Sequence, residues 1–178
     1  MNAGRHLANL ALIGFMGTGK TSVGRLVADQ LRFEFLDTDD LIETRSGKAI
    51  NDIFSQNGES AFRQLECDLV EELSSVRQTV ISTGGGLPVS PANLDSLKQH
   101  ALVVCLWSSP EKIFERVRDQ SHRPLLQSPD PLARIRSLLA TREPFYKRAD
   151  VLINSEFRSI REVAQQVILQ FRLATGQK

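Results

Sequence analysis

The sequence predicts an α/β fold, a three-layer sandwich with helices on both faces of a mostly parallel, five-stranded sheet. Three observations lead there. Five short apolar runs alternate with stretches of helical periodicity along the 178 residues. The fourth run, Ala101–Trp107, is apolar throughout, as befits a strand covered on both faces. Glycine or acid clusters follow the first, second and third runs, and in open parallel sheets the carboxyl edge is where ligands bind.

The first run, Ala11, Leu12 and Ile13, leads into Gly14, Phe15, Met16, Gly17, Thr18, Gly19, Lys20 and Thr21, a match to the phosphate-loop pattern GxxxxGK[ST]. Its glycines let successive backbone N–H groups turn toward a polyphosphate, and the helix that follows aims the positive end of its dipole at the same charge. In such a loop Lys20 reaches the outer phosphates and the Thr21 hydroxyl ligates magnesium. Val23, Leu26, Val27 and Leu31 recur at helical spacing directly afterwards, which completes the strand, loop and helix the motif requires. Phe33 to Leu36 form the second strand, ending at Asp37, Thr38, Asp39 and Asp40. Asp37 or Asp39 caps a helix that begins near Asp40 and stops at Gly47, yet acids spaced i, i+2 and facing a phosphate loop exceed what a cap needs.

A helical stretch through Ile50, Ile53 and Phe54 breaks at Asn57 and Gly58. The next helix, Glu59 to Leu73, carries Phe62, Leu65, Leu69, Val70 and Leu73 on one face. Its Arg63 and Glu66 can pair, and taken alone that is a surface ion pair of little consequence. Thr79 to Ser82 is the third strand, and Thr83 opens onto Gly84, Gly85 and Gly86. Consecutive glycines cost backbone entropy, so a close approach to something is expected there. Leu87 to Gln99 reads as a loop and a short helix, with Pro88 and Pro91 at turns.

After the fourth strand, Ser109 and Pro110 start a helix through Ile113 and Val117 that gives out at Asp119. Residues 119–130 read as a surface loop whose Arg123, Leu125 and Leu126 suit a mobile lid. Pro131 begins a helix running to Tyr146, and Val151 to Ile153 is the fifth strand. Ser159 and Glu162 form a capping box ahead of an apolar stripe of Ile160, Val163, Ala164, Val167, Ile168 and Phe171. The chain, 1–178, thus reads as one domain with a lid.

Composition narrows the function. Cys67 and Cys105 read as small buried hydrophobes, and His6, His100 and His122 form no zinc pattern. A net charge of +1 and a pI near 7.8 lack the basic footprint of a nucleic-acid binder. No apolar run reaches membrane-spanning length, and the stretch before the first strand is too short for a transit or signal peptide. The expectation is a soluble cytoplasmic protein, a monomer by default, with no nucleic-acid or membrane partner. Opposite the phosphate loop, Arg63 and Arg142 suit a carboxylate and Asp39 suits a hydroxyl, which together favour phosphoryl transfer to a small polyhydroxylated acid.

Over nearly its whole length the chain resembles the shikimate kinase family. The shared features are GFMGTGKTSVGR, the DTDD cluster, Phe62, Arg63 and Glu66 in FRxxE, STGGG, RPLL, and Arg142 with Tyr146 in RxxxY. The resemblance implies a P-loop NTPase fold of the nucleoside-monophosphate-kinase type, with strand order 2-3-1-4-5. It also implies ATP-dependent phosphorylation of the 3-hydroxyl of shikimate, on the route to chorismate and the aromatic amino acids.

Carried over by position, Gly17, Thr18, Gly19, Lys20, Thr21 and Ser22 would hold the ATP phosphates, with Thr21 on Mg²⁺ and Asp37 on a magnesium-bound water. Asp39 would accept a hydrogen bond from the reacting hydroxyl, either taking its proton or only orienting it. Arg63 and Arg142 would clamp the shikimate carboxylate, Gly84, Gly85 and Gly86 would close the pocket, and Phe54 and Phe62 would pack against the ring. Arg123 matches the lid arginine, catalytic with Lys20 and Asp39, while Arg116 or Arg118, and Arg158, would flank adenine. A gluconate kinase would share the loop and fold but would not need carboxylate clamps. A nucleotide switch would lack an acceptor pocket altogether.

Overall fold

The computed structural model describes residues 5–118 and 128–177. Five strands, β1 (Asn9–Ile13), β2 (Glu34–Asp37), β3 (Thr79–Ser82), β4 (Ala101–Trp107) and β5 (Val151–Asn154), form one parallel sheet in the order β2-β3-β1-β4-β5. This is the order the family resemblance implies.

Strand side chains alternate between faces, so Leu10 and Leu12 enter one apolar cluster while Ala11 and Ile13 enter the other. Helices α1 (Lys20–Leu31) and α7 (Ile160–Thr175) cover the first face through Val23, Val27, Val163, Val167 and Phe171. On the second face lie α3 (Ile50–Leu73), α4 (Pro91–His100), α5 (Pro110–Val117) and α6 (Pro131–Tyr146), packed through Leu69, Leu94, Leu97, Ile113, Ile135 and Leu139. Each such side chain taken fully out of water contributes roughly 1.5–3 kcal/mol, so the sheet is a rigid platform for its carboxyl edge.

Local details sharpen the expectations. Helix α2 (Thr38–Ser46) starts earlier than expected, with Asp37 as its cap: the carboxylate accepts a hydrogen bond from the Asp39 N–H at 3.1 Å. The expected break at Gly58 is a kink within α3, where Gly58 has φ 82° and ψ 168°. Residues Leu87–Val89 make a 3₁₀ turn before α4. Cys105 is buried as expected, but Cys67 is only half-buried because it sits at the margin of the face α3 turns to the core. Ile160, expected in the α7 stripe, is 49% exposed: it is the first residue of α7 and lines a small cavity with Arg116, Ser155 and Arg158 instead of joining the core. Among the described residues no helix is long and apolar enough to cross a membrane. The expected lid falls mostly on 119–127, outside the described residues.

At the amino edge of the sheet, Asp150 joins separate parts of the chain. Its carboxylate accepts from Arg5 Nη1 at 2.9 Å, Arg5 Nη2 at 3.2 Å and the Val103 N–H at 2.9 Å, and Lys98 Nζ lies 3.3 Å away. Burial opposes its charge, but these donors prevail and hold its pKa below the ordinary carboxylate value. A depressed carboxylate pKa contributes stability above the unfolded value and loses it as pH falls through the folded one. Asp150→Asn should therefore cost about 1–3 kcal/mol at neutral pH. In thermal unfolding, the gap between wild type and variant should close as the pH falls below about 3.9; a gap independent of pH would exclude the ionic origin.

Candidate active site

The loop between β1 and α1 closes on itself before any ligand arrives. Gly17 (φ 73°) and Gly19 (φ 95°) occupy left-handed backbone that a side chain would strain. Thr18 Oγ1 and Lys20 Nζ both donate to the Phe15 carbonyl, at 2.8 Å and 3.0 Å, which folds the lysine over the loop. Between this loop and α2 opens a polar cleft of about 420 Å³, lined by Lys20, Thr21, Ser22, Asp37, Asp39 and Gly85 among others. Thr18 turns its hydroxyl inward, so it shapes the loop and can offer a ligand only its backbone.

On the acidic wall, Thr21 Oγ1 donates to Asp37 Oδ2 at 3.0 Å. A hydroxyl and a carboxylate that meet at a phosphate loop are the oxygen donors Mg²⁺ takes while keeping water and phosphate as its other ligands. Among the described residues no group of three or more His, Cys, Asp or Glu side chains could by itself hold a metal ion. Two residues further on, Asp39 has its pKa raised to about 6, first by burial and then by Asp37, against the lowering effect of Lys20.

The close approach expected at the glycine triplet is made by predicted acceptor residues at Gly84 and Gly86, while Gly85 lies against the phosphate-loop backbone with Arg142 at ordinary contact distance. A Cβ on Gly84 would collide with the Asp39 carboxylate. At Gly85 a Cβ would lie 3.7 Å from Arg142 Nη1, and at Gly86 it would lie 2.6 Å from Arg63 Nη1 and 2.8 Å from Nη2. The triplet thus brings Asp39, Arg142 and Arg63 along one strip of backbone, with Gly85 itself on the wall of the cleft that holds Lys20. Phe62 is buried beside Arg63, and its ring lies 4.7 Å from that of Phe54.

One expectation is corrected here. Arg63 and Glu66 are not a surface pair: Nη1 donates to Glu66 Oε2 at 2.6 Å, and the glutamate side chain is 1% exposed. Burial raises the Glu66 pKa, while the bond to Arg63 opposes the rise. The second carboxylate oxygen, Oε1, is buried without a hydrogen-bond partner among the described residues. An i, i+3 spacing looks the same on a wet face and a dry one, so sequence reading did not separate them.

A second cavity, about 180 Å³, lies behind the loop between Gly17–Gly19 and the start of α7, lined by Arg116, Ser155, Arg158 and Ile160. Arg116 donates to the Gly17 carbonyl at 3.3 Å and the Ser155 carbonyl at 2.6 Å; Ser155 Oγ donates to the Thr18 carbonyl at 3.1 Å. Of the alternatives Arg116 and Arg118, Arg116 is the one joined to the loop, and Arg118 lies at the exposed end of α5. Ser155 and Ile160 were missed as site residues: the serine carries no motif, and the isoleucine reads as core. Arg123 lies outside the described residues.

A shikimate kinase family model matches residues 16–172. A shikimate kinase of Thermodesulfovibrio yellowstonii is 44% identical over 171 residues, which is 96% of this chain and 99% of the relative. The solved shikimate kinase of Acinetobacter baumannii, in complex with shikimate, superposes with a TM-score of 0.89 at 40% identity, covering 97% of this chain and 96% of that one. A gluconokinase from Sinorhizobium meliloti superposes at 0.63 with 17% identity and 97% coverage of this chain, which shows a shared fold alone. With the phosphate loop, the acid pair and Gly85 lining one cleft, and Arg63 and Arg142 against the glycine strip beside it, this chain belongs to the shikimate kinase family.

Proposed function

We propose that the protein transfers the γ-phosphoryl group of ATP to the 3-hydroxyl of shikimate, giving shikimate 3-phosphate and ADP. The observation that carries the reading is the glycine triplet, which aligns a carboxylate and two guanidinium groups beside the cleft that holds Lys20.

The roles follow from placement. The loop N–H groups of Gly17–Ser22 and the Lys20 ammonium gather the phosphates and neutralise charge on the group in transit. Thr21, with Asp37 acting through a water, would hold Mg²⁺, which would supply additional charge neutralisation at the phosphates. Arg63 and Arg142 take the shikimate carboxylate in charge-assisted forks, with Arg63 held in place by Glu66. That fixes the ring against Phe54 and Phe62, and presents its hydroxyl to Asp39. Asp39, ionised above about pH 6, accepts a hydrogen bond from that hydroxyl. A loose transition state asks little of a base, so orientation is the larger part of its work. Arg123, matched to the family's lid arginine, would add positive charge at the phosphates. Arg116, Arg158 and Ile160, which line the cavity behind the loop, would bound the place for the adenine.

The direct test is ADP release from ATP and Mg²⁺ with and without shikimate, beside gluconate and other hydroxy acids. Release should depend on shikimate; release independent of any acceptor would indicate a nucleotide switch, and dependence on gluconate a different kinase. On the acid side, kcat/KM for shikimate should fall as pH drops below about 6, where Asp39 takes up a proton. Asp39→Asn should abolish that titration together with most activity, and retention of most activity would dismiss the carboxylate's part. Arg63→Ala should raise KM for shikimate about 10- to 100-fold. Arg123→Ala should act chiefly on kcat, by about 10²-fold or more; the reverse assignment of the two effects would overturn these roles.

A further inference from the structure

Tyr146 is 2% exposed, at the carboxyl end of α6, and the mechanism above makes no use of it. Its hydroxyl donates to the Gly85 carbonyl at 2.7 Å. The Arg142 guanidinium, one turn earlier on the helix, meets the same glycine, where a Cβ would stand 3.7 Å from its Nη1, and its charge works against the rise that burial gives the phenol's pKa. Arg142 also lies over the Phe15 ring, its Cζ 5.7 Å from the centroid. Gly85 in turn packs on the phosphate loop, where a Cβ would stand 3.4 Å from the Met16 nitrogen and 3.5 Å from the Gly14 carbonyl oxygen. A single phenolic group therefore meets the middle of the acceptor strip on one side and a carboxylate clamp on the other.

The hydroxyl's one proton is committed to Gly85. Burial pushes the phenol up to about 12, so it stays a neutral donor throughout the working range. Without it, the Gly85 carbonyl would lose its donor, and the backbone that Arg142 lies against would lose its tie to α6. A long, charged side chain with free rotamers costs side-chain entropy each time a carboxylate binds.

We infer that Tyr146 is a positioning residue for the acceptor: its hydroxyl fixes Arg142 against Gly85 and so preorganises the shikimate carboxylate site. This rests on the proposed phosphorylation of shikimate, and wild-type turnover tests that reading first. Tyr146→Phe removes one oxygen and keeps the ring that packs in the core, so folding is retained and is checked by thermal unfolding. The expected result is a rise of about 5- to 20-fold in KM for shikimate, with KM for ATP within about twofold of wild type. In an Arg142→Ala background the same substitution should change KM for shikimate less than about twofold, because the group it positions is gone. A wild-type KM for shikimate in Tyr146→Phe would overturn the inference, as would an equal rise in both Michaelis constants or an undiminished effect in the Arg142→Ala background. A wild-type enzyme that ignores shikimate would overturn the functional reading instead.

Discussion

The site depends on how near three charged side chains come to a bare stretch of main chain. Asp39 reaches Gly84 from α2, Arg142 reaches Gly85 from α6, and Arg63 reaches Gly86 from α3. Helices α2 and α3 are neighbours in the chain, but α6 comes nearly sixty residues after α3. The strip after β3 gives them a common wall, and the absence of side chains on it is what makes room. Any Cβ at Gly84 or Gly86 would push out the carboxylate or guanidinium that now occupies the space. The glycines thus define the distance between acceptor groups and the phosphate loop more than they supply flexibility.

Charge in the cleft is balanced in two layers. Lys20 offsets part of the repulsion between Asp37 and Asp39, and burial still leaves Asp39 harder to ionise than a surface carboxylate. Behind it, the buried Glu66 answers Arg63, and its charge is felt by Asp39 and softened by Arg142. A buried pair of this kind contributes little to net stability, since desolvation consumes much of the attraction. Its value lies in direction: Glu66 and the exposed Glu59, which accepts from Arg63 Nη2 at 3.0 Å, hold Arg63 beside the glycine strip.

Much of this was legible in the residues. The phosphate loop, the Ser159–Glu162 capping box and the unbroken β4 run are contiguous patterns whose chemistry is local, and each formed where it was expected. Strand order was not readable that way, because pairing joins distant segments; it followed from resemblance to a family. The triplet announced that something comes close but not what. The buried state of Glu66 and the outward turn of Ile160 depend on how far neighbouring elements extend, which periodicity does not encode. Ser155 had no signal at all, being one serine whose hydroxyl happens to bridge the Thr18 and Trp107 carbonyls.

The bend at Gly58 has a consequence for how acceptor choice can change. In a straight helix, residues eight positions apart are about 12 Å apart along the axis, yet the rings of Phe54 and Phe62 lie 4.7 Å from each other across this elbow. The ring pair is therefore made by folding one helix on itself, outside the sheet and apart from the phosphate loop. A change at that elbow alters the spacing of the two rings through α3 alone, without passing through the strand, loop and helix that carry Lys20.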